Sequence, residues 1–186
     1  MRLKVILQFA VVFATMLLAA PQWVQGQVLR VSPPVARPLI GTGSLTVSAS
    51  PSAVSFLLVP GQVTAGNSPI GITTTWTGST VGSTMSLYGY FLSSTSALTG
   101  NGRGAIPTTA IFGQMTTGLP TSSTPFTETN PVGSASGSLR LFSQVISGTG
   151  AGSRTDALTL TIDLTSLPQL PADTYTGTLI LQAQVI

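Results

Sequence analysis

The chain has no cysteine and no histidine, and its only lysine, Lys4, stands near the N-terminus. Each absence removes a chemistry. Without cysteine there is no disulfide, no thiolate nucleophile and no sulfur ligand. Without histidine, zinc and copper sites lose their usual nitrogen ligands. Serine–histidine–aspartate, cysteine–histidine and serine–lysine nucleophile systems each lack a base or a nucleophile after residue 27. Acidic groups are also scarce: Glu128, Asp156, Asp163 and Asp173 are the full set.

The seven basic residues outnumber these four acids, for a formal charge of +3. Arg2 and Lys4 belong to an apolar leader, and the remaining five, Arg30, Arg37, Arg103, Arg140 and Arg154, are scattered. Neutralising phosphates takes a basic stripe, so no nucleic-acid partner is expected. A basic membrane-surface patch is likewise missing.

What is present begins with that leader. Arg2 and Lys4 precede an apolar run from Val5 to Ala20, then Pro21 and Val24-Gln25-Gly26. This is the order of a secretory signal peptide over residues 1–26, with cleavage expected between Gly26 and Gln27 and Ala20 as second choice. The run is shorter than the roughly 20 residues that span a bilayer, so the membrane is met only through this leader before cleavage. The implied location is secreted, periplasmic or cell surface. A secreted chain with no cysteine, but long enough to bury a core unaided, points to a bacterial source.

Residues 27–43 hold Pro33, Pro34 and Pro38 and read as a Pro-rich N-terminal arm or linker. Residues 44–186 read as one domain of short strands separated by Gly, Pro, Ser and Asn turns. Leu45–Ala49, Val54–Val59, Ile70–Thr77, Met85–Leu92, Leu139–Ile146, Ala157–Leu164 and Tyr175–Ile186 are the strand predictions. Ile106–Phe112 is a weak strand, and Ser93–Leu98 fits one helical turn. The clearest alternation sets Leu158, Leu160, Ile162 and Leu164 against Thr159, Thr161 and Asp163. The fold class that follows is an all-β, immunoglobulin-like antiparallel β-sandwich. Residues 114–138, rich in Thr, Ser, Gly and Pro, read as a long polar loop.

Candidate sites are few. A glycosidase needs two carboxylates across a cleft. Asp163 falls on the polar face of a strand, Asp156 at a strand start, Asp173 in a turn and Glu128 in the long loop, so no catalytic residue is assigned. Calcium takes oxygen ligands, but no Asp-x-Asp-x-Asp spacing occurs, and no metal site is assigned. Gly100-Asn101-Gly102-Arg103-Gly104 lacks the lysine and helix of a phosphate loop and reads as a turn, so no cofactor is expected. Aromatics offer the remaining surface. Tyr88 and Tyr90 share a strand face opposite Leu87 and Phe91, and Phe126 sits in the long loop. Tyr88, Tyr90 and Phe126 form the candidate contact surface.

The segment Leu170-Pro171-Ala172-Asp173-Thr174-Tyr175-Thr176-Gly177-Thr178-Leu179 resembles the last hairpin of the spore coat U family of bacterial secreted β-sandwiches, which includes subunits of chaperone–usher pili. Asp173 stands where that family has Gly, and the family's cysteines are absent. The resemblance implies an extracellular structural or adhesive subunit assembled by strand exchange. In such a hairpin the tyrosine ring covers the core edge and its hydroxyl bonds back to the turn. The general layout is also similar to small exported proteins of environmental bacteria. The expected function is therefore a non-enzymatic secreted or cell-surface structural or interaction protein, a pilin-like or adhesive subunit. The alternatives are a carbohydrate-binding module and an enzyme with a carboxylate pair. The expected partner is another strand, in the same molecule or a second copy, or a surface glycan.

Overall fold

Hydroxyl and aliphatic residues alternate along most of the chain, and β-branched Thr, Val and Ile suit a pleated surface buried on one side. The computed structural model describes residues 24–32, 35–36, 44–78, 81–102, 104–129, 134–147 and 150–185. In chain order the strands are β1 (Val24–Val31), β2 (Val35–Ala36), β3 (Ser44–Ser50), β4 (Ala53–Leu58), β5 (Val63–Ala65), β6 (Ile70–Thr77) and β7 (Thr84–Tyr90). There follow β8 (Leu98–Gly100), β9 (Ala105–Ile106), β10 (Ile111–Met115), β11 (Thr124–Pro125), β12 (Ser138–Val145), β13 (Gly152–Asp163) and β14 (Tyr175–Val185). Thr108–Ala110 makes a single 3-10 turn.

Two sheets result, each organised on one long strand. The first has the order β12-β7-β14-β1-β4, with β2 and β8 also on β14, and β9 on β8. Along one side of β14 lie β8, at Tyr175–Gly177, and β7, at Ile180–Val185. Along its other side lie β1, at Thr176–Leu179, and β2, at Gln182–Ala183. The second sheet has the order β11-β10-β13-β6-β3, with β5 also on β13. Strands β1 and β2 run parallel to β14, and the other pairs of named strands are antiparallel.

The inward faces meet in one apolar core. Leu158, Leu160 and Ile162 of β13, Ile70 and Ile72 of β6, Met85 and Leu87 of β7, and Leu179 and Leu181 of β14 are all buried. The protein is an all-β sandwich. Its hydrophobic pairing across the two sheets is the main source of stability, since each fully buried aliphatic side chain contributes about 1.5–3 kcal/mol.

Three expectations change. Residues 27–43 are not simply an arm or linker before a domain starting at 44: their first part is an inner strand. β1 lies between β14 and β4, with Leu29 and Val31 buried and Arg30 exposed. The bonds Val31 N–H to Ser52 O and Ser32 N–H to Leu179 O, both 2.9 Å, carry the pairing to its end. The alternation Leu29, Arg30, Val31 signalled this strand, and the prolines that follow obscured it. Residues 1–23 of the expected leader lie outside the described residues, and Val24–Gly26 belong to β1. Only the Val24–Leu58 pair precedes Gln27, so a cut after Gly26 leaves every pair of β1 with β14 in place.

Residues 114–138 are not a free loop. Met115 N–H bonds Pro120 O at 2.8 Å, β11 pairs with β10, and Glu128 bridges to Ser138. Ser93–Leu98 makes no helical turn. Its backbone is turned by Ser93 Oγ, which accepts the Ser96 N–H at 3.2 Å, and Leu98 opens β8. Serine competes with helix formation in this way because its hydroxyl reaches nearby backbone groups.

Candidate functional site

The three aromatics of the candidate contact surface do not come together on the outside. Phe126 is 0% exposed and packs edge-on against Phe91, ring centroids 5.3 Å apart. Gly89 and Gly113 leave room for its ring: a Cβ at either position would stand 3.1 Å from it. The long segment therefore supplies a core anchor, and its Phe126 is not a platform for a ligand. Tyr88 is 5% exposed, in register between Arg140 of β12 and Gln182 of β14. Tyr90 is half-buried, with its hydroxyl 3.5 Å from Gln182 Oε1. The cause is position. β7 lies inside its sheet, so its outward-pointing tyrosines are flanked on both sides, whereas an edge strand would leave them open.

The four carboxylates also stand apart, each engaged with a different segment. Asp156, its side chain 1% exposed, accepts Arg154 Nε–H at 2.6 Å and Nη2–H at 2.9 Å, and also the Thr117 hydroxyl. Arg154 additionally donates to Thr117 O at 2.7 Å and Gln144 Oε1 at 3.3 Å, and lies 4.9 Å over the Phe142 ring. The bond to Asp156 raises the pKa of the guanidinium beyond its already high ordinary value. Asp163 accepts the Thr165 hydroxyl at 2.6 Å and the Thr165 N–H at 2.9 Å. Both bonds, the hydroxyl first, hold its pKa below the usual aspartate range.

Asp173 accepts Gly102 N–H at 2.6 Å and Thr174 N–H at 2.7 Å. It thus ties the Gly100–Gly104 turn to the last hairpin. Tyr175, fully buried, donates its hydroxyl to Pro171 O at 2.9 Å. Burial, and secondarily the Asp173 charge, raises the pKa of the phenol. A Cβ at Gly104 would collide with that phenol, so glycine is required there. Among the described residues no three acids, histidines or cysteines are grouped to hold a metal.

The sheet edges carry more information than the faces. The β4 edge is closed by a mimic of a strand. Because Val31 N–H reaches Ser52 O, alternation along the antiparallel pair turns Ser55 and Leu57 outward. Ser55 N–H is accepted by Asn67 Oδ1 at 3.0 Å, Ser55 O accepts Asn67 N–H at 3.0 Å, and Leu57 O accepts the Thr64 hydroxyl at 3.3 Å. Gly66 permits this approach, since a Cβ there would overlap Val54. A surface groove of about 410 Å³ beside this closure is lined by Ser55, Phe56, Leu57, Thr64, Ala65 and Asn67. Among the described residues no charged or titratable side chain lines it.

The first half of the β12 edge is closed by the long segment. Glu128 exchanges backbone bonds with Ser138 at 2.8 and 3.3 Å, its Oε2 accepts Arg140 N–H at 2.9 Å, and Leu119 N–H reaches Leu141 O at 2.7 Å. Sequence reasoning missed both closures, because each joins backbone groups that any residue carries to the side chains of Asn67, Thr64 and Glu128, whose partners lie far along the chain or carry no pattern. Comparison with family models, curated proteins and solved structures gives no match to this chain.

Proposed function

We propose that this chain is a non-enzymatic exported protein that acts as a structural or adhesive subunit and associates through strand pairing. The observation that supports the reading is the position of β1. The first described strand occupies the interior of a sheet, parallel to the last strand and antiparallel to β4. Such a slot takes a strand through main-chain bonds together with alternate side-chain pockets, here those holding Leu29 and Val31. The same bonds form whether the strand belongs to the same molecule or a neighbour. The carboxylates favour a non-catalytic role, because each is bonded to a separate backbone turn, edge or arginine. A glycan-binding role loses its aromatic platform with Tyr88 and Phe126 buried.

The test uses the absence of native cysteine. Arg30 and Thr178 are exposed register partners on β1 and β14. Two variants of the mature protein, Arg30→Cys and Thr178→Cys, are mixed at high concentration under mild oxidation. Adjacent strands bring paired positions within disulfide reach. Exchange of β1 between copies gives covalent heterodimers of the two variants. A mixture that yields no heterodimer, while the double variant closes an internal disulfide, defeats the assembly reading.

A further inference from the structure

The second half of β12 is an edge on which no other strand lies among the described residues. Ile146 N–H bonds Ser83 O at 2.8 Å, which makes Ile146 and Ser83 a hydrogen-bonded pair. Bonded and non-bonded pairs alternate in an antiparallel ladder, so Gln144–Met85 and Phe142–Leu87 are bonded too. Ser143 and Val145 then turn their N–H and C=O groups away from β7. Among the described residues no main-chain bond reaches those groups, in contrast with Ser138, Arg140 and Leu141 one turn of pleat earlier. Ser143 and Val145 are exposed, Val145 to 59%. Two further exposed apolar side chains flank the stretch: Leu119, beside the closed Leu141 carbonyl, and Val81, beside the Gly82 N–H that bonds Ile146 O.

We propose that this open half-edge, Ser143 to Val145, pairs antiparallel with the same half-edge of a second copy across a two-fold axis at Gln144. The proposal rests on the reading of the protein as one that associates through strands, and it assigns a different strand to the contact. The second copy fits for three reasons. With Gln144 on the axis, Ser143 of one copy faces Val145 of the other, and both residues have outward backbone groups, so the two pairs form four main-chain bonds. A register shifted toward Arg140, with the axis at Ser143, would set Val145 against the Leu141 carbonyl that Leu119 already occupies. The stretch carries no charge, so two identical edges meet without the like-charge repulsion that guards most edges. Finally, Val145 of each copy, exposed in the single chain, is partly covered by the strand that carries Ser143 of the other. An isologous contact of this kind closes as a dimer and does not propagate.

The test is a proline at a position where it costs no internal bond. Val145 points its N–H outward, so Val145→Pro leaves the ladder to β7 intact but removes one donor from each copy. Sedimentation equilibrium of the full mature protein should show a dimer, and Val145→Pro should raise its dissociation constant about tenfold or more. Val145→Lys, which puts like charges together and leaves the backbone unchanged, should do the same if the proline variant folds poorly. A native protein that stays monomeric at the highest soluble concentration overturns the proposal, as does a dimer unaffected by either well-folded variant. The Arg30→Cys and Thr178→Cys cross-link should be unchanged by Val145→Lys, so failure of one contact is told apart from failure of the other.

Discussion

Asp156 and Asp163 occupy the same strand, seven residues apart, and have opposite surroundings. An odd separation on a strand places them on opposite faces. Asp156 faces inward among Leu158, Leu160 and Ile162, buried, with its charge met by Arg154 and the Thr117 hydroxyl. Asp163 faces outward at the strand end and closes a small turn on Thr165. One carboxylate helps hold the two sheets together, because Arg154 reaches from β13 to Gln144 and Phe142 on β12. The other shapes a turn in water. The difference shows that in this chain, which has so few charges, a carboxylate's contribution follows the face it is on. Nothing in the residue itself distinguishes the two.

The comparison is broken most directly at the inward end. Removing Arg154 leaves the Asp156 carboxylate buried without a counter-charge, and loss of one partner of a buried pair typically costs about 3–5 kcal/mol. Arg154→Ala should therefore lower the urea midpoint by a large fraction of the protein's stability, with the slope unchanged. An effect no larger than that of an exposed substitution such as Arg140→Ala would show that the pair adds nothing across the sheets.

Next in size is the apolar part of the same face. Leu160 is buried in the core and Thr161 lies on the outer side. Leu160→Ala removes burial and leaves a cavity, at a cost of about 2–5 kcal/mol, whereas Thr161→Ala should change stability by about 0.5 kcal/mol or less. Equal shifts in melting temperature from the two variants would contradict the facing.

How much of this was legible in the sequence varies with the physical source of each feature. Strands whose aliphatics alternate over several residues, such as β6, β13 and β14, follow directly from the period of two, and the expected Ile70–Thr77 coincides with β6. The Tyr175 hydroxyl bond to the turn was likewise readable from the hairpin residues. The pattern places Asp156 at a strand start because Gly152–Thr155 has no aliphatics, yet β13 begins at Gly152 and takes the aspartate inside. The sequence lets the Pro-rich arm pair with a strand of the same molecule, but it does not mark β1 as an inner strand of the domain, because only Leu29 and Val31 mark its inward face and prolines follow at once. The candidate surface of Tyr88, Tyr90 and Phe126 failed for a different reason: periodicity says which side chains share a face, but not whether neighbouring strands or loops cover it. Phe126 lies in a stretch with no period at all, and it is buried because backbone bonds from β10 and β12 draw the stretch onto the core.

The smallest expected effect belongs to the outward end of the comparison, and it has a pH signature. Asp163 has its pKa lowered in the folded protein, first by the Thr165 hydroxyl and then by the Thr165 N–H. A carboxylate with a lowered folded value binds fewer protons when folded than when unfolded as acid is added. Its stabilising contribution is therefore complete above the ordinary aspartate range, and it is lost as pH falls from that range through the lowered folded value. Asp163→Asn keeps an oxygen acceptor for Thr165 and removes the charge. The native protein should melt slightly above this variant at neutral pH, and the gap should close as pH drops through the carboxylate range. High salt should leave the gap largely in place, because it comes from short hydrogen bonds and not from long-range attraction. A gap that persists unchanged in strong acid would mean that Asp163 contributes through its shape alone, and that its charge plays no part in the turn.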